Sequence, residues 1–330
     1  MPSVEDGVDK HDPEHESPAI ATSQPGQHLD TTPDATGAER EFTVRARSQW
    51  EMILRRFLAH RLAVISLLIF LLLVLFSYIG GHVWHYRYDT LTGDYSQGPS
   101  LKHPFGTDDI GHDALAQVLR GAQKSISIAL IVASLSTLVG TVWGAVAGYY
   151  RGFVDSLLMR TVDLVLTIPS IAILALLANK FGATKVGWLA IALVLAALIW
   201  APIARVVRGV VLSLREKEYV EAAKALGASD SRIIFRHLLP NALGPIIVNL
   251  TITVANAILL ETALSYLGVG VQPPDTSLGL LVFSGQAAAN TRPWLFYFPG
   301  LFIVLIALTI NFVGDGLRDA FDPTQTRVRA

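Results

Sequence analysis

The sequence lacks cysteine and has few charged residues for its length. Charged side chains make up 16% of the 330 residues, whereas hydrophobic side chains make up 52%. The absence of cysteine excludes disulfides, thiol nucleophiles and cysteine-ligated metals. In a soluble globular chain about a quarter of the residues are charged. Here the apolar residues also form long runs, which indicates a membrane protein, and the net charge of −1 indicates no nucleic-acid partner.

Two further absences exclude classes of enzyme. None of the nine histidines lies within a long apolar run, which argues against a membrane metalloprotease or a Ser–His pair. No Gly-Lys dipeptide occurs, so the chain has no P-loop for ATP. We therefore expect no catalytic residue, metal or cofactor on this chain, and an ATPase that drives it would be a separate protein.

The amino-terminal residues differ from the rest. Residues 1–45 are acidic and have no apolar period, which predicts a disordered cytoplasmic tail. In residues 46–61, five apolar side chains share one helical face and have arginine neighbours. This pattern predicts an amphipathic helix in the headgroup plane, with an ordinary helix packed on protein as the alternative. The five side chains are those of Trp50, Ile53, Leu54, Phe57 and Leu58.

Residues 62–323 have the pattern of a transmembrane domain. Six apolar stretches each approach the roughly twenty residues needed to cross a bilayer. The predicted fold class is all-α, a polytopic membrane helical bundle with an external loop at 82–125 and a carboxyl-terminal tail at 324–330. Gly140, Gly144 and Gly148 form a stripe of small residues, which favours close packing within the bundle over a dimer contact. The predicted spans are 62–81, 126–149, 157–178, 187–204, 242–266 and 295–314.

The distribution of Lys and Arg predicts the orientation. If the amino terminus is inside, 19 of the 26 basic residues fall in segments assigned to the inside. Because cytoplasmic loops carry an excess of Lys and Arg, we expect both termini in the cytoplasm. The same rule places the loop at 205–241 in the cytoplasm.

Part of that loop, EYVEAAKALGASDSRIIFRHLLPN at 218–241, is polar between two apolar runs. Tyr219, Ala222, Ala223 and Leu226 share one face of a short helix, and the two alanines make that face shallow. Gly227 follows, at a position where a helix end favours a left-handed residue.

A second short helix is expected after this turn. Ser229 can cap the segment DSRIIFRHLL, which should end before Pro240. Two helices joined by a sharp turn outside the bilayer would form a docking surface for another protein. An ordinary amphipathic loop is the alternative that the pattern leaves open.

The segment EAAKALG, followed farther along by Leu-Pro, resembles the EAA loop of permease subunits in bacterial ABC importers. In that family the loop forms a coupling helix that fits a cleft on the ATPase subunit. His237 stands where an apolar residue is common before the final Leu-Pro. The matching residues are Glu221, Ala222, Ala223, Gly227, Leu239 and Pro240.

Three other blocks resemble the dipeptide, oligopeptide and nickel permeases within this family. They are HPFGTDDIGHD at 103–113, SYLGVGVQPPDTSLG at 265–279 and VGDGLRDAFDP at 313–323. His112 replaces the usual arginine of the first block, and Leu278 stands where tryptophan is common in the second. The resemblance is strongest to the "C" member of the dipeptide and oligopeptide permease pair. The first block is matched at His103, Gly106, Thr107, Asp108, Gly111 and Asp113.

The resemblance implies a type I ABC importer permease that works by alternating access. Its implied partners are a homologous second permease in a heterodimer, two ATPase subunits or one fused ATPase, and an extracytoplasmic substrate-binding protein. ATP and Mg would be bound by the ATPase partners, and the cargo would be dipeptides or oligopeptides. Nickel or glutathione as cargo is the alternative within the class, and a secondary transporter is the alternative outside it.

Three polar residues of the fifth predicted span are candidates to line a translocation path. Glu261 is a carboxylate at membrane depth, which normally faces a bundle interior or a water-filled path. Its alternative role is a structural hydrogen bond. Asn249 and Asn256 lie on the same predicted helix and could line the same path, or could join neighbouring helices by hydrogen bonds. A nearly uncharged path suits a cargo that is recognised by its backbone, such as a peptide.

Overall fold

Helices and their connecting loops make up the part of the chain that is described by the computed structural model: residues 49–170, 172–173, 176 and 187–322. No strand occurs in these ranges, where isolated β-bridges join Leu91 to His112 and Thr107 to Asp113. Residues 1–48 and 323–330 lie outside the described residues. The expectations for the two tails therefore stay predictions.

The helix bounds are as follows. The first four helices are α1 (Gln49–Ala59), α2 (Arg61–Val83), α3 (Ala114–Tyr150) and α4 (Gly152–Thr167). The later helices are α5 (Gly187–Arg215), α6 (Glu218–Ala225), α7 (Asp230–Ile233), α8 (Leu239–Tyr266), α9 (Leu278–Gln286) and α10 (Trp294–Phe321). A π-helical turn, Ile234–Leu238, joins α7 to α8.

Five helical segments in the described ranges are long and apolar enough to cross a membrane. They are Arg61–Val83, Ala114–Tyr150, Gly187–Arg215, Asp230–Tyr266 and Trp294–Phe321. These segments confirm the predicted all-α membrane bundle. The other predicted span, 157–178, begins within α4, and much of its second half lies outside the described residues. The count of six spans therefore stays a prediction at this point of the chain.

Helix α3 begins earlier than its apolar run predicts. Its first residue is Ala114, well inside the predicted external loop, because the Asp113 carboxylate accepts a hydrogen bond from the Ala116 N–H at 2.7 Å and so caps the helix. Leu115 and Leu119 in these added turns are buried against protein. Helix α5 similarly continues to Arg215, into the predicted cytoplasmic loop. An apolar run predicts the part of a helix that crosses the membrane. It does not predict further turns that are stabilised by contacts with the rest of the protein.

The glycine stripe of α3 packs directly on α5. A Cβ atom added at Gly140 would lie 2.8 Å from the Trp200 carbonyl oxygen, and one at Gly148 would lie 2.9 Å from the Arg208 carbonyl oxygen. Gly144 has an equally close approach to the backbone of α5. The stripe is therefore used within the bundle, which confirms that prediction. The backbones of α3 and α5 therefore approach closely over the two turns from Gly140 to Gly148.

Helix α1 divides its predicted apolar face between two environments. Ile53 and Phe57 pack against α2 and α10, whereas Trp50, Leu54 and Leu58 are exposed. The helix therefore packs on protein, as in the alternative considered from the sequence, and still presents an apolar stripe beside its arginines. Such a stripe is typical of a helix in the headgroup plane.

Candidate functional site

The turn after α6 has the predicted left-handed glycine. Gly227 has φ +77°, its N–H donates to the Lys224 carbonyl at 2.9 Å, and the Ala228 N–H donates to the Ala223 carbonyl at 3.0 Å. These two bonds are those of a Schellman motif, which satisfies the last carbonyls of a helix. No atom lies within 4 Å of a Cβ added at Gly227, so the backbone conformation, and not lack of space, favours glycine.

One side of α6 is exposed and apolar. Leu226 is 88% exposed and Tyr219 is 40% exposed, while Val220 on the opposite side is fully buried. Ala223 is half-buried and packs inward, so the structure places three of the four predicted face residues on the outside. We call these three, Tyr219, Ala222 and Leu226, the outer face of α6; Glu221 is also exposed. Tyr219 and Leu226 are thus two large apolar side chains exposed on one face, with the small Ala222 on the same face.

The other side of this region is anchored to the bundle. We call residues 218–238, which comprise α6, its turn, α7 and the π-helical turn, the docking segment. Four of its apolar side chains are buried in one cluster with residues of α3 and α5. The cluster includes Val220, Ile233, Ile234 and Leu238 from the docking segment and Ala145, Ile203, Val207 and Val211 from the bundle.

The predicted end of the second helix before Pro240 is wrong. The chain continues as a helix from Asp230 to Tyr266, with the π-helical turn just before Leu239 and Pro240. A proline inside a regular α-helix clashes with the carbonyl one turn earlier, whereas at the first positions of a helix its missing N–H costs little. The π-helical turn widens the backbone there, and Pro240 becomes part of the first turn of α8. Ser229 occupies the predicted N-cap position, but its side chain makes no capping hydrogen bond.

Glu261 is completely buried inside the bundle. Its carboxylate accepts hydrogen bonds from the Ser125 hydroxyl at 2.9 Å and from the Ser265 hydroxyl at 2.8 Å. The Ser265 hydroxyl also lies 3.2 Å from that of Ser277, next to the start of α9. The carboxylate thus joins α3 to α8, with the residue before α9 beside it. This geometry supports the structural role that the sequence left open.

Asn249 and Asn256 lie on a different side of α8 from Glu261. Asn256 is exposed and Asn249 is half-buried, on the same stripe as the exposed Ile252 and Leu259. The structure therefore brings the two amides to one outward stripe and separates them from the carboxylate. The two candidates for a shared path with Glu261 therefore do not share a surface with it.

The external block is organised around a buried histidine and a buried aspartate. His103 Nδ1 lies 2.7 Å from Asp113 Oδ2, and His103 Nε2 lies 3.1 Å from Asp94 Oδ2. Asp113 also accepts a hydrogen bond from Trp84 Nε1 at 3.0 Å while it caps α3. The pKa of Asp94 lies below its ordinary value, mainly because of the hydrogen bond from Lys102 and secondly because of the one from His103.

The remaining residues of that block fold the loop around themselves. Asp108 Oδ1 accepts hydrogen bonds from the N–H groups of Gly111 and His112, both at 2.7 Å, and Oδ2 lies 2.8 Å from His112 Nδ1. His112, in place of the usual arginine, thus pairs with Asp108. Thr107 accepts from the Gln97 N–H at 2.9 Å, and Gly106 and Gly111 both have positive φ. The polar groups of the block therefore bond to one another and to the neighbouring Trp84, Asp94 and Gln97, which folds the loop.

A charge cluster near this loop was missed from the sequence. Arg120 Nε donates to Asp275 Oδ1 at 2.9 Å, and Lys124 Nζ lies 3.0 Å from Asp275 Oδ2. Burial raises the pKa of Asp275, but the hydrogen bonds from Arg120 and Lys124 lower it by more, so its pKa lies below the ordinary value. The sequence pattern places the two cations in the external loop, whereas they lie on α3. The sequence feature that could have indicated this cluster is the second block, which contains Asp275.

Two family models match separate parts of this chain. Residues 140–327 match the family model described as binding-protein-dependent transport system inner membrane component. Residues 48–104 match the N-terminal TM domain of oligopeptide transport permease C. Together the matches cover α1, α2 and the chain from the last turns of α3 through the docking segment to α10, and they leave residues 105–139 between them.

Curated relatives are similar over most of their length. The oligopeptide transport system permease protein OppC of Mycobacterium tuberculosis is 43% identical over 285 residues, which are 86% of this chain and 97% of the relative. OppC of Bacillus subtilis is 38% identical over 87% of this chain and 93% of the relative. The dipeptide transport system permease protein DppC of Alkalihalophilus pseudofirmus is 36% identical over 88% of this chain and 95% of the relative. This chain therefore belongs to the family of inner membrane components of binding-protein-dependent transport systems and is a multi-pass permease component.

Proposed function

We propose that this chain is the transmembrane permease subunit of an ATP-driven importer that moves dipeptides or oligopeptides across the plasma membrane by alternating access. The observation that carries the proposal is the outer face of α6, which is apolar, exposed and fixed to the bundle by the buried half of the docking segment. When a partner that is bound to such a surface moves, the displacement is transmitted to the membrane helices through the buried side of the docking segment. The names of the relatives above support peptides as the cargo.

An ATPase subunit is the partner that we assign to the outer face of α6. Ala222 makes the face shallow, and Leu226 projects from it, so the face suits a cleft with an apolar floor. ATP and Mg are bound by this partner, which is present as two ATPase subunits or one fused protein. A homologous second permease completes the path beside the α8 stripe of Asn249 and Asn256, and an extracytoplasmic binding protein delivers the peptide.

The test is to disrupt the outer face without touching the bundle. Ala222→Glu adds bulk and a charge to the proposed interface, where an unpaired charge costs about 3 kcal/mol, or about a hundredfold in affinity. Ala287→Glu is the matched control, because Ala287 is exposed in the connection from α9 to α10. We expect the Ala222 variant to insert in the membrane but to lose co-purifying ATPase, while the control retains it.

Uptake of a labelled dipeptide by the same cells identifies the cargo. We expect unlabelled peptides of varied sequence to compete, and nickel and glutathione not to compete. Full ATPase binding and full uptake by Ala222→Glu would show that the outer face is not the coupling surface. Uptake of labelled nickel or glutathione by these cells, without uptake of the labelled dipeptide, would keep the importer class and reject peptides.

The orientation is part of the same proposal: the docking segment and both termini are cytoplasmic, as the excess of basic residues on that side predicts. Single-cysteine labelling tests it cleanly, because the chain has no cysteine. An impermeant reagent should label Leu101→Cys in intact cells and should label Glu216→Cys only after permeabilisation. Leu101 is fully exposed and the Glu216 side chain is 59% exposed, so access does not limit either reaction. The reverse pattern would invert the assignment.

A further inference from the structure

Tyr149, in the last turn of α3, is bonded to the docking segment. It is only 5% exposed, and its hydroxyl donates a hydrogen bond to Asp230 Oδ1 at 2.6 Å. Asp230 is the first residue of α7, so this bond joins a membrane helix to the second half of the docking segment. Hydrogen bonds to a charged group are among the stronger ones in proteins, particularly when they are partly shielded from water.

Two cations from two other elements lie near the same tyrosine ring. The guanidinium carbon of Arg215 is 5.5 Å from the ring centroid and Lys224 Nζ is 5.7 Å from it. Arg215 is the last residue of α5 and also donates a hydrogen bond to the Tyr149 carbonyl, while Lys224 belongs to α6. Each distance is within the range of a cation–π interaction. One residue thus contacts α5, α6 and α7 at once.

The position of Tyr149 in α3 determines what a movement of the docking segment would reach. Gly148 immediately precedes Tyr149, and both Gly148 and Gly144, one turn earlier, are pressed against the α5 backbone. Because such close backbone contacts leave little room for sliding, α3 and α5 are expected to move together. Two other routes lead from α7 into the bundle: the π-helical turn into α8, and the buried apolar cluster that joins Ile233 to α3 and α5. Tyr149 adds a polar connection to the α3–α5 pair.

We propose that Tyr149 is a positioning residue for coupling, which fixes the docking segment to the α3–α5 pair so that displacement of α6 moves these membrane helices. The proposal rests on the function proposed above, in which α6 docks on an ATPase. Tyr149 itself contacts neither ATP nor cargo in this role. Its hydroxyl bonds to Asp230 of α7, and its ring contacts Lys224 of α6. Both helices of the docking segment are therefore attached to α3.

The experiment measures peptide transported per ATP hydrolysed by the purified complex in lipid vesicles. Tyr149→Phe keeps the ring and both neighbouring cations but removes the bond to Asp230. We expect the ATPase to co-purify normally and ATP hydrolysis to continue, while transport per ATP falls about tenfold, the size of change that loss of a hydrogen bond to a charged group can produce. Tyr150→Phe is the matched control, since Tyr150 is 48% exposed and its hydroxyl makes no hydrogen bond within the described residues.

A double-mutant cycle separates coupling from general damage. Asp230→Ala removes the same bond from its other end, so Tyr149→Phe together with Asp230→Ala should lower transport per ATP no further than either change alone. An unchanged ratio for Tyr149→Phe overturns the proposal. So does a loss of folded complex or of bound ATPase that accounts for all of the lost transport, because the role is then structural only. If the proposed permease function itself were wrong, the unsubstituted chain would bind no ATPase. That result distinguishes it from failure of the Tyr149 proposal alone.

Discussion

The external block at 103–113 and the docking segment at 218–238 are both rich in polar residues. They differ in whether their contacts are made within the chain or are left open to solvent. In the external block, His103, Asp108 and Asp113 find their hydrogen-bond partners within the loop and the adjoining helix. In the docking segment, Leu226 and Tyr219 remain open to solvent while Val220 is buried. A recognisable motif can therefore either fold its own chain or present a surface to another chain. Self-satisfied polar groups indicate the first role, and an apolar face without a cover indicates the second.

The largest effect expected from this comparison is at Asp113. Asp113→Ala removes the cap of α3 and leaves the half-buried Trp84 and the buried His103 without their acceptor, and an unsatisfied buried group costs about 1–3 kcal/mol. We expect little folded protein in the membrane fraction and a strongly lowered melting temperature. Asp109→Ala is the control, because that side chain is 70% exposed with a single contact to Arg292 at 3.8 Å. Equal stability of the two variants would remove the distinction between the regions.

An intermediate effect is expected at Glu261. Glu261→Gln replaces one acceptor oxygen by an NH₂ group inside a serine network, which should cost about 2 kcal/mol. We expect a lower melting temperature and subunit yield, with uptake reduced in proportion to the folded complex that remains. Asn256→Ala on the exposed stripe should leave the melting temperature unchanged. If Glu261→Gln is fully stable but does not transport, the carboxylate belongs to the translocation path.

The smallest effect, and the one that sharpens the comparison most, is at Gly227. Valine in the left-handed region costs about 1–2 kcal/mol, whereas asparagine tolerates that conformation. We expect Gly227→Val to weaken ATPase co-purification about tenfold and Gly227→Asn to retain most of it. Both should insert normally, because no atom lies within 4 Å of a Cβ added at this exposed position. Identical behaviour of the two variants would show that the turn geometry does not matter for docking.

The sequence predicts best what depends on neighbouring residues. The apolar runs locate the membrane helices, and Gly227 after EAAKAL locates the turn, because helix periodicity and left-handed backbone are local properties. The glycine stripe is predicted for the same reason, since three glycines at the same spacing fall on one face. The docking surface is predicted through that turn and through the resemblance.

The features that the sequence leaves open or predicts wrongly depend on contacts distant along the chain or on a rare backbone form. The role of Glu261 depends on Ser125, which lies on another helix, so the spacing within α8 cannot decide between a path and a structural bond. Tyr149 shows no local pattern, because Asp230 and Arg215 reach it only in the folded chain. The helix end predicted before Pro240 is wrong because a π-helical turn accommodates the proline. In each case the missing information is a tertiary contact or a rare backbone form.

The π-helical turn also sets the rotational phase between the docking segment and α8. Ile234, Leu238 and Ala242 are spaced four residues apart and are all buried. In a regular α-helix, residues four apart are rotated by about 40° from one another, so a longer series drifts off a single face. The wider turn offsets this drift and keeps the three side chains directed inward. If the same residues formed a regular α-helix in place of the wider turn, everything before the turn would be rotated relative to α8, which would misdirect the outer face of α6 without deleting any part of it.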